Sequence, residues 1–150
     1  MNLPYFEDVD LGDEIGPLET EATDDRVASF CQVWGNPKPN RFTDPAAAEK
    51  AGLPGLIVPG IMAMAMVTRL LTGWAGPGSL RDLDVVFRQP VPHRQPLTIS
   101  ATVTDTRRED GENLVECDVM MTGAQGERYV SGKAVVALPT RAERTEQVAE

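Results

Sequence analysis

The chain has few cysteines, few basic residues and no long uninterrupted apolar run, and each scarcity narrows what it can be. Its two cysteines, Cys31 and Cys117, lie far apart and form no Cys-x-x-Cys. That spacing supports neither a disulfide framework nor a zinc site and fits two buried thiols in a reducing compartment. Lys and Arg number 14 against 23 Asp and Glu, a net charge of -9. So acidic a surface repels phosphate backbones, so no nucleic-acid partner is expected, while a local basic patch for one phosphorylated ligand stays open. The most apolar stretch, 53–75, is broken by Pro54, Pro59 and Arg69, and no membrane span is expected. The first ten residues carry acids and no apolar h-region, so no signal peptide is expected, and the expected location is the cytoplasm.

What is present suffices for one domain: 150 residues, 41% of them apolar, can bury a real core without staples. Residues 4–18 read as an acidic, turn-rich entry with Gly12, Gly16 and Pro17, leading to a first strand near 18–22. Thr23, Asp24 and Asp25 offer N-caps to a helix whose Val27, Phe30, Cys31 and Val33 recur at helical spacing until Gly35. A polar, proline-broken loop over 36–43 follows. Asp44 as cap and Pro45 in the first turn predict a short helix ending at Gly52. Residues 60–71 are apolar on nearly every side, which predicts a buried helix ended by Thr72, Gly73 and Gly76.

Beyond that helix the period switches to two. Leu83, Val85 and Phe87; Leu97, Ile99, Ala101 and Val103; Val115, Cys117, Val119 and Met121; and Val130, Gly132, Ala134, Val136 and Leu138 alternate with polar residues. These predict four strands with one buried face, with hairpin turns at Asp110-Gly111 and over 123–126. A sheet with one apolar face must cover it, and the buried helix is the candidate cover. The predicted fold is therefore α+β: one domain over 1–139, a curved antiparallel sheet wrapped around a long central helix, with a charged, flexible tail over 140–150.

The run Asn36-Pro37, Asp44-Pro45, Ala51-Gly52-Leu53-Pro54-Gly55-Leu56-Ile57 and Gly60-Ile61-Met62 resembles the MaoC-like family of (R)-specific enoyl-CoA hydratases and dehydratases. Trp74-Ala75-Gly76, Val86-Phe87-Arg88, Pro90-Val91 and Leu97-Thr98 resemble the family's strand region after its central helix, and Gly132 with 136–139 fits its last strand. The resemblance covers roughly residues 5–139. It implies the hot-dog fold, an acyl-CoA or acyl-carrier-protein thioester as ligand, no cofactor and no metal. It also implies a second hot-dog subunit as partner, in a homodimer or a heterodimer.

The family's hydratase motif, Gly-Asp-x-Asn-Pro-x-His-x-Asp-Pro, supplies an Asp and a His five residues apart. They act on water and the substrate α-proton, a step that needs positioned proton carriers. Three registers place this chain on that motif. Aligning Gly35 puts Asn36 and Arg41 in the two slots, aligning Asp44-Pro45 puts Pro37 and Phe42 there, and aligning Asn36-Pro37 puts Trp34 and Pro39 there. None supplies an acid and an imidazole, and the first register is preferred. The single histidine, His93, falls in a turn where the family has Gly-Asp and reads as a solvated loop residue.

The resemblance then points to Asn36, Asn40, Arg41, Ile57, Gly60, Ile61 and Met62 as substrate-binding candidates, with the catalytic pair unassigned. Lys38, Asn40 and Arg41 either contact a phosphate or thioester oxygen or form a solvated loop, and Asn36 either bonds a carbonyl or closes its helix. Backbone N–H groups near Gly60 polarise the thioester oxygen in the family and survive any side-chain change. Met62, Met64 and Met66 are either core or acyl tunnel, and Met66, Val67 and the Trp74 region are either core or partner-facing. Three functions follow: a non-catalytic acyl-thioester-binding subunit beside a chain bearing the pair, a self-sufficient enzyme using Asp24, Asp25, Asn36, Arg41 or Asp44, or a structural acyl-binding module.

Overall fold

The computed structural model describes residues 2–148. After a 3-10 turn at Phe6–Asp8, strand β1 (Glu14–Glu21) leads to helices α1 (Asp24–Val33), α2 (Pro45–Lys50) and α3 (Gly60–Ala75). Strands β2 (Leu80–Phe87), β3 (Pro96–Glu109), β4 (Glu112–Gly123) and β5 (Arg128–Ala137) follow, and helix α4 (Arg141–Val148) is last. The strands form one antiparallel sheet in the order β1-β3-β4-β5-β2. Register breaks in all four pairings bend it around α3.

The alternation predicted from sequence sets the inner face. Ile99 lies opposite Met121, Ala101 opposite Val119 and Val103 opposite Cys117, and Met121 and Cys117 in turn face Val130 and Ala134. All eight are buried, as are Ala63, Val67 and Leu71 of α3 against them. Each large side chain so buried contributes about 1.5–3 kcal/mol. The hairpin at Asp110 and Gly111 takes φ 51 and 79, the pair of positive values a two-residue turn needs. Thr23 caps α1 by accepting from the Arg26 N–H, and Asp44 caps α2 by accepting from the Ala46 N–H.

Three expectations are corrected. The first strand begins at Glu14, because Gly16-Pro17, read as a turn, forms the bulge where the β1–β3 register shifts. Helix α3 continues past Leu71 to Ala75: the Thr72 hydroxyl donates back to the Thr68 carbonyl, and the helix stops at Gly76 with φ 98. Phe87 is half exposed, since β2 is an edge strand and its last inner position lies over the open first turn of α3 at Gly60. Within the tail predicted over 140–150, Arg141–Val148 form α4, and residues 149–150 lie outside the described residues. The first turn of α4 is closed reciprocally, the Thr140 N–H donating to Glu143 at 2.7 Å and the Glu143 N–H to the Thr140 hydroxyl at 3.2 Å. The guanidinium groups of Arg141 and Arg144 both lie against the Tyr5 ring, 4.8 and 4.4 Å from its centre, and Arg141 also pairs with Asp8.

Candidate functional site

Helix α3 starts on Pro59, which offers no side chain to cap the first turn. A helix start leaves its first N–H groups unpaired and carries the positive end of the dipole. Gly60 keeps the approach open, and an added Cβ would lie 3.3 Å from the Phe87 ring. Ile57, Val58, Gly60 and Phe87 line a pocket of 340 Å³, completed by Arg88 to Val91 from the loop after β2. Arg88 is the charged residue of that lining, and its Nε donates to the Ser131 hydroxyl at 3.0 Å. The pocket thus offers apolar walls, backbone donors and one cation, but no side chain that can take up a proton at neutral pH.

The structure divides the candidates predicted from sequence. Ile57 and Gly60 share this pocket. Ile61 stands beside it, half exposed, while Met62 and Met66 are buried in the core and Met64 is half-buried. Asn36, Asn40 and Arg41 do not line it. Asn40 closes its own loop: its amide nitrogen donates to the Asn36 carbonyl at 2.7 Å, and its amide oxygen accepts from the Phe42 N–H at 2.8 Å. Asn36 ends α1 through its backbone, the N–H donating to the Cys31 carbonyl at 2.8 Å. Arg41 is exposed and lies over the ring of the buried Phe42. Lys38 and Asp25 border a separate groove on α1, and Asp44 serves as the α2 cap.

His93 requires the largest correction. Its side chain is 3% exposed, not solvated. Nδ1 lies 2.9 Å from Asp24 Oδ1 and Nε2 lies 3.0 Å from the Ile57 carbonyl oxygen. Both nitrogens face acceptors, and both can donate only on the doubly protonated ring. Asp24, first residue of α1, also holds Arg94, whose Nε and Nη2 each lie 2.9 Å from its carboxylate. That fork keeps Arg94 at φ 60, a left-handed conformation that side chains other than glycine rarely take.

Arg94 first, then His93, holds the Asp24 carboxyl below the usual carboxylate range. A depressed native value contributes stability that is present above the unfolded value, about pH 4, and lost as pH falls through the native one. Asp24→Asn is therefore expected to flatten the acid limb, bringing the variant and wild-type stability curves together below about pH 4. Urea melts at a series of pH values measure this, and curves that stay parallel would remove the carboxylate from the account. The effect is small because the Asp24 side chain is 51% exposed.

Neither cysteine offers a reactive thiolate. Burial pushes the Cys31 thiol up, and burial with Asp118 and Glu116 beside it pushes Cys117 up to about 12. Among the described residues no group of three His, Cys, Asp or Glu side chains can hold a metal. No described helix is long and apolar enough to cross a membrane. The 720 Å³ cavity at the far end of α3 is lined in part by Asn113, Glu143 and Arg81. Its polar groups bond one another, Asn113 to Glu143 and Arg81 to Glu112 and the Gly78 carbonyl.

An antiparallel five-stranded sheet wrapped around one long helix, with that helix opening on a pocket at its start, defines a hot-dog domain. The chain belongs to the MaoC-like hydratase and dehydratase family, whose MaoC like domain matches residues 12–125. No functionally curated protein matches it. Among solved structures it resembles an (R)-hydratase from A. caviae involved in PHA biosynthesis, with 24% identity, TM-score 0.77, 87% of this chain and 98% of that one covered. It resembles a chain of the ChsH1-ChsH2 complex from Mycobacterium tuberculosis at 19% identity and TM-score 0.73, covering 85% and 97%. It also resembles a chain of the HadBC 3R-hydroxyacyl-ACP dehydratase complex of the same organism at 17% identity and TM-score 0.69, covering 85% and 96%. At these identities the likeness is one of fold.

Proposed function

We propose that this chain is the acyl-thioester-binding, non-catalytic half of a hydratase or dehydratase, paired with a second hot-dog chain that carries the acid and the imidazole. One observation carries this reading. The only histidine of the chain is buried with both nitrogens engaged, while the pocket at Gly60 has apolar walls, one arginine and no proton carrier in its lining. The ligand is an acyl-CoA or acyl-carrier-protein thioester, its carbonyl oxygen taken by the N–H groups that open α3. Two of the structural relatives are described as complexes, which supports a hot-dog partner. The outer edge of β2 pairs with no strand among the described residues, and Val86, Phe87 and Ile61 are each 49% exposed near it. The two free, buried thiols are consistent with the cytoplasm.

The contact of Asp24 with His93 favours a second reading, a self-sufficient enzyme using that pair. Its weakness is access: the ring is buried and has no free nitrogen to offer a water. Hydration of crotonyl-CoA and longer enoyl-CoA esters separates the two. The expected result is binding without turnover by the pure chain, and turnover when it is mixed with a pair-bearing hot-dog chain. Turnover by the pure chain at about 1 per second or faster would refute the subunit reading.

A further inference from the structure

The segment that enters α3 has little regular structure of its own. Residues 53–59 include Pro54, Gly55 and Pro59, and their place is set by the loop after β2. Ile57 forms an isolated antiparallel bridge with Pro92, and the Val58 N–H donates to the Val91 carbonyl at 2.7 Å. His93 adds the side-chain tie. Its Nε2 reaches the carbonyl of Ile57, three residues before Gly60, and its Nδ1 reaches Asp24 at the start of α1. The tie spans 36 residues one way and 69 the other, so it fixes the α3 entrance against a separate helix. Asp24 is itself clamped by Arg94, so the ring is oriented from one side and does its holding on the other.

We propose that His93 is a positioning residue: its Nε2 bond to the Ile57 carbonyl fixes residues 57–59 and thereby aims the Gly60 and Ile61 N–H groups at the thioester oxygen. This rests on the reading of the Gly60 pocket as a thioester site. The burial of the ring means water does not replace a lost bond readily, so removing that one contact leaves the Ile57 carbonyl unsatisfied.

Two substitutions separate the two bonds. The amide nitrogen of asparagine reaches the place of Nδ1, and that of glutamine the place of Nε2. His93→Asn therefore keeps the Asp24 contact and drops Ile57, and His93→Gln does the reverse. A role in general packing would weaken both variants alike. Each is compared with wild type by calorimetric titration with crotonyl-CoA and, without ligand, by amide hydrogen exchange at Val58, Met62 and Ala63, whose N–H groups donate to the Val91 and Pro59 carbonyls. His93→Gln is expected within about threefold of wild type in both measurements, and His93→Asn to lose roughly tenfold in affinity and exchange roughly tenfold faster. Equal losses in the two variants, or unchanged exchange in His93→Asn, overturn the assignment. If His93→Asn does not fold, Asp24→Ala, which frees the ring from the other side, takes its place with an expected threefold effect, on the order of half the bond. Failure of wild type to bind crotonyl-CoA counts against the thioester reading alone, and the exchange comparison then decides the role of His93.

Discussion

Gly132→Ala is expected to lower the melting temperature by roughly 6–12 °C or to prevent folding, a cost of about 3 kcal/mol or more. Gly132 stands in β5 between Val119 of β4 and Val85 of β2. A Cβ there would lie 2.0 Å from the Asp84 carbonyl oxygen and 2.7 Å from the Val85 Cα. Both obstacles are backbone, so no rotamer change makes room. Relief requires β2 to move off β5, and β2, an edge strand, pairs with β5 alone in the sheet order. Thermal melting followed by circular dichroism measures the loss. A variant melting within about 2 °C of wild type would mean that β2 shifts without cost.

Leu71→Ala is expected to cost about 2–5 kcal/mol. Leu71 is fully buried in α3, on the face that covers the sheet. Truncation there removes apolar burial and leaves a cavity that rigid strands on the facing side cannot collapse into. Ile61→Ala on the same helix serves as the control, because Ile61 is 49% exposed. It is expected to stay within about 0.5 kcal/mol of wild type in the isolated chain. Equal losses at the two positions, read from urea midpoints, would contradict the placement of α3 as the core helix.

The parts of the fold legible in the sequence were those written in local chemistry. Thr23 and Asp44 announced their helices because an N-cap needs only the next few residues, and Asp110-Gly111 announced its hairpin because the turn demands positive φ at both. The strands were legible because each buried face repeats every second residue. Gly16-Pro17 was misread because its bulge exists only against β3, some eighty residues later in the chain. The capping pair Thr140 and Glu143 was present in the sequence, yet the charge of the segment masked it.

The candidate site divides in the same way. Gly60 and Ile57 were legible through motif resemblance. Phe87 and Arg88 were visible as strand residues, but their place over the start of α3 depends on where the edge strand ends. His93 was opaque: in its local context, between Pro90, Pro92 and Pro96, it reads as a turn. Its burial comes from Asp24 and Ile57, which no local pattern connects to it. Asn40 shows the opposite case, since an amide that looks available to a ligand is bonded within the loop that carries it.

The two ends of the described chain meet at the end of α3 remote from Gly60. Leu3 packs where a side chain on Gly76 would sit, and Arg144 of α4 donates to the Leu3 carbonyl. Helix α3 runs sixteen residues from Gly60 through Ala75, a length of about 24 Å at 1.5 Å per residue. A fluorophore or a surface tether attached through either end region therefore stands a helix length from the Gly60 pocket. Such a label reports on the whole body of the protein, and an immobilised chain still presents its pocket to solution.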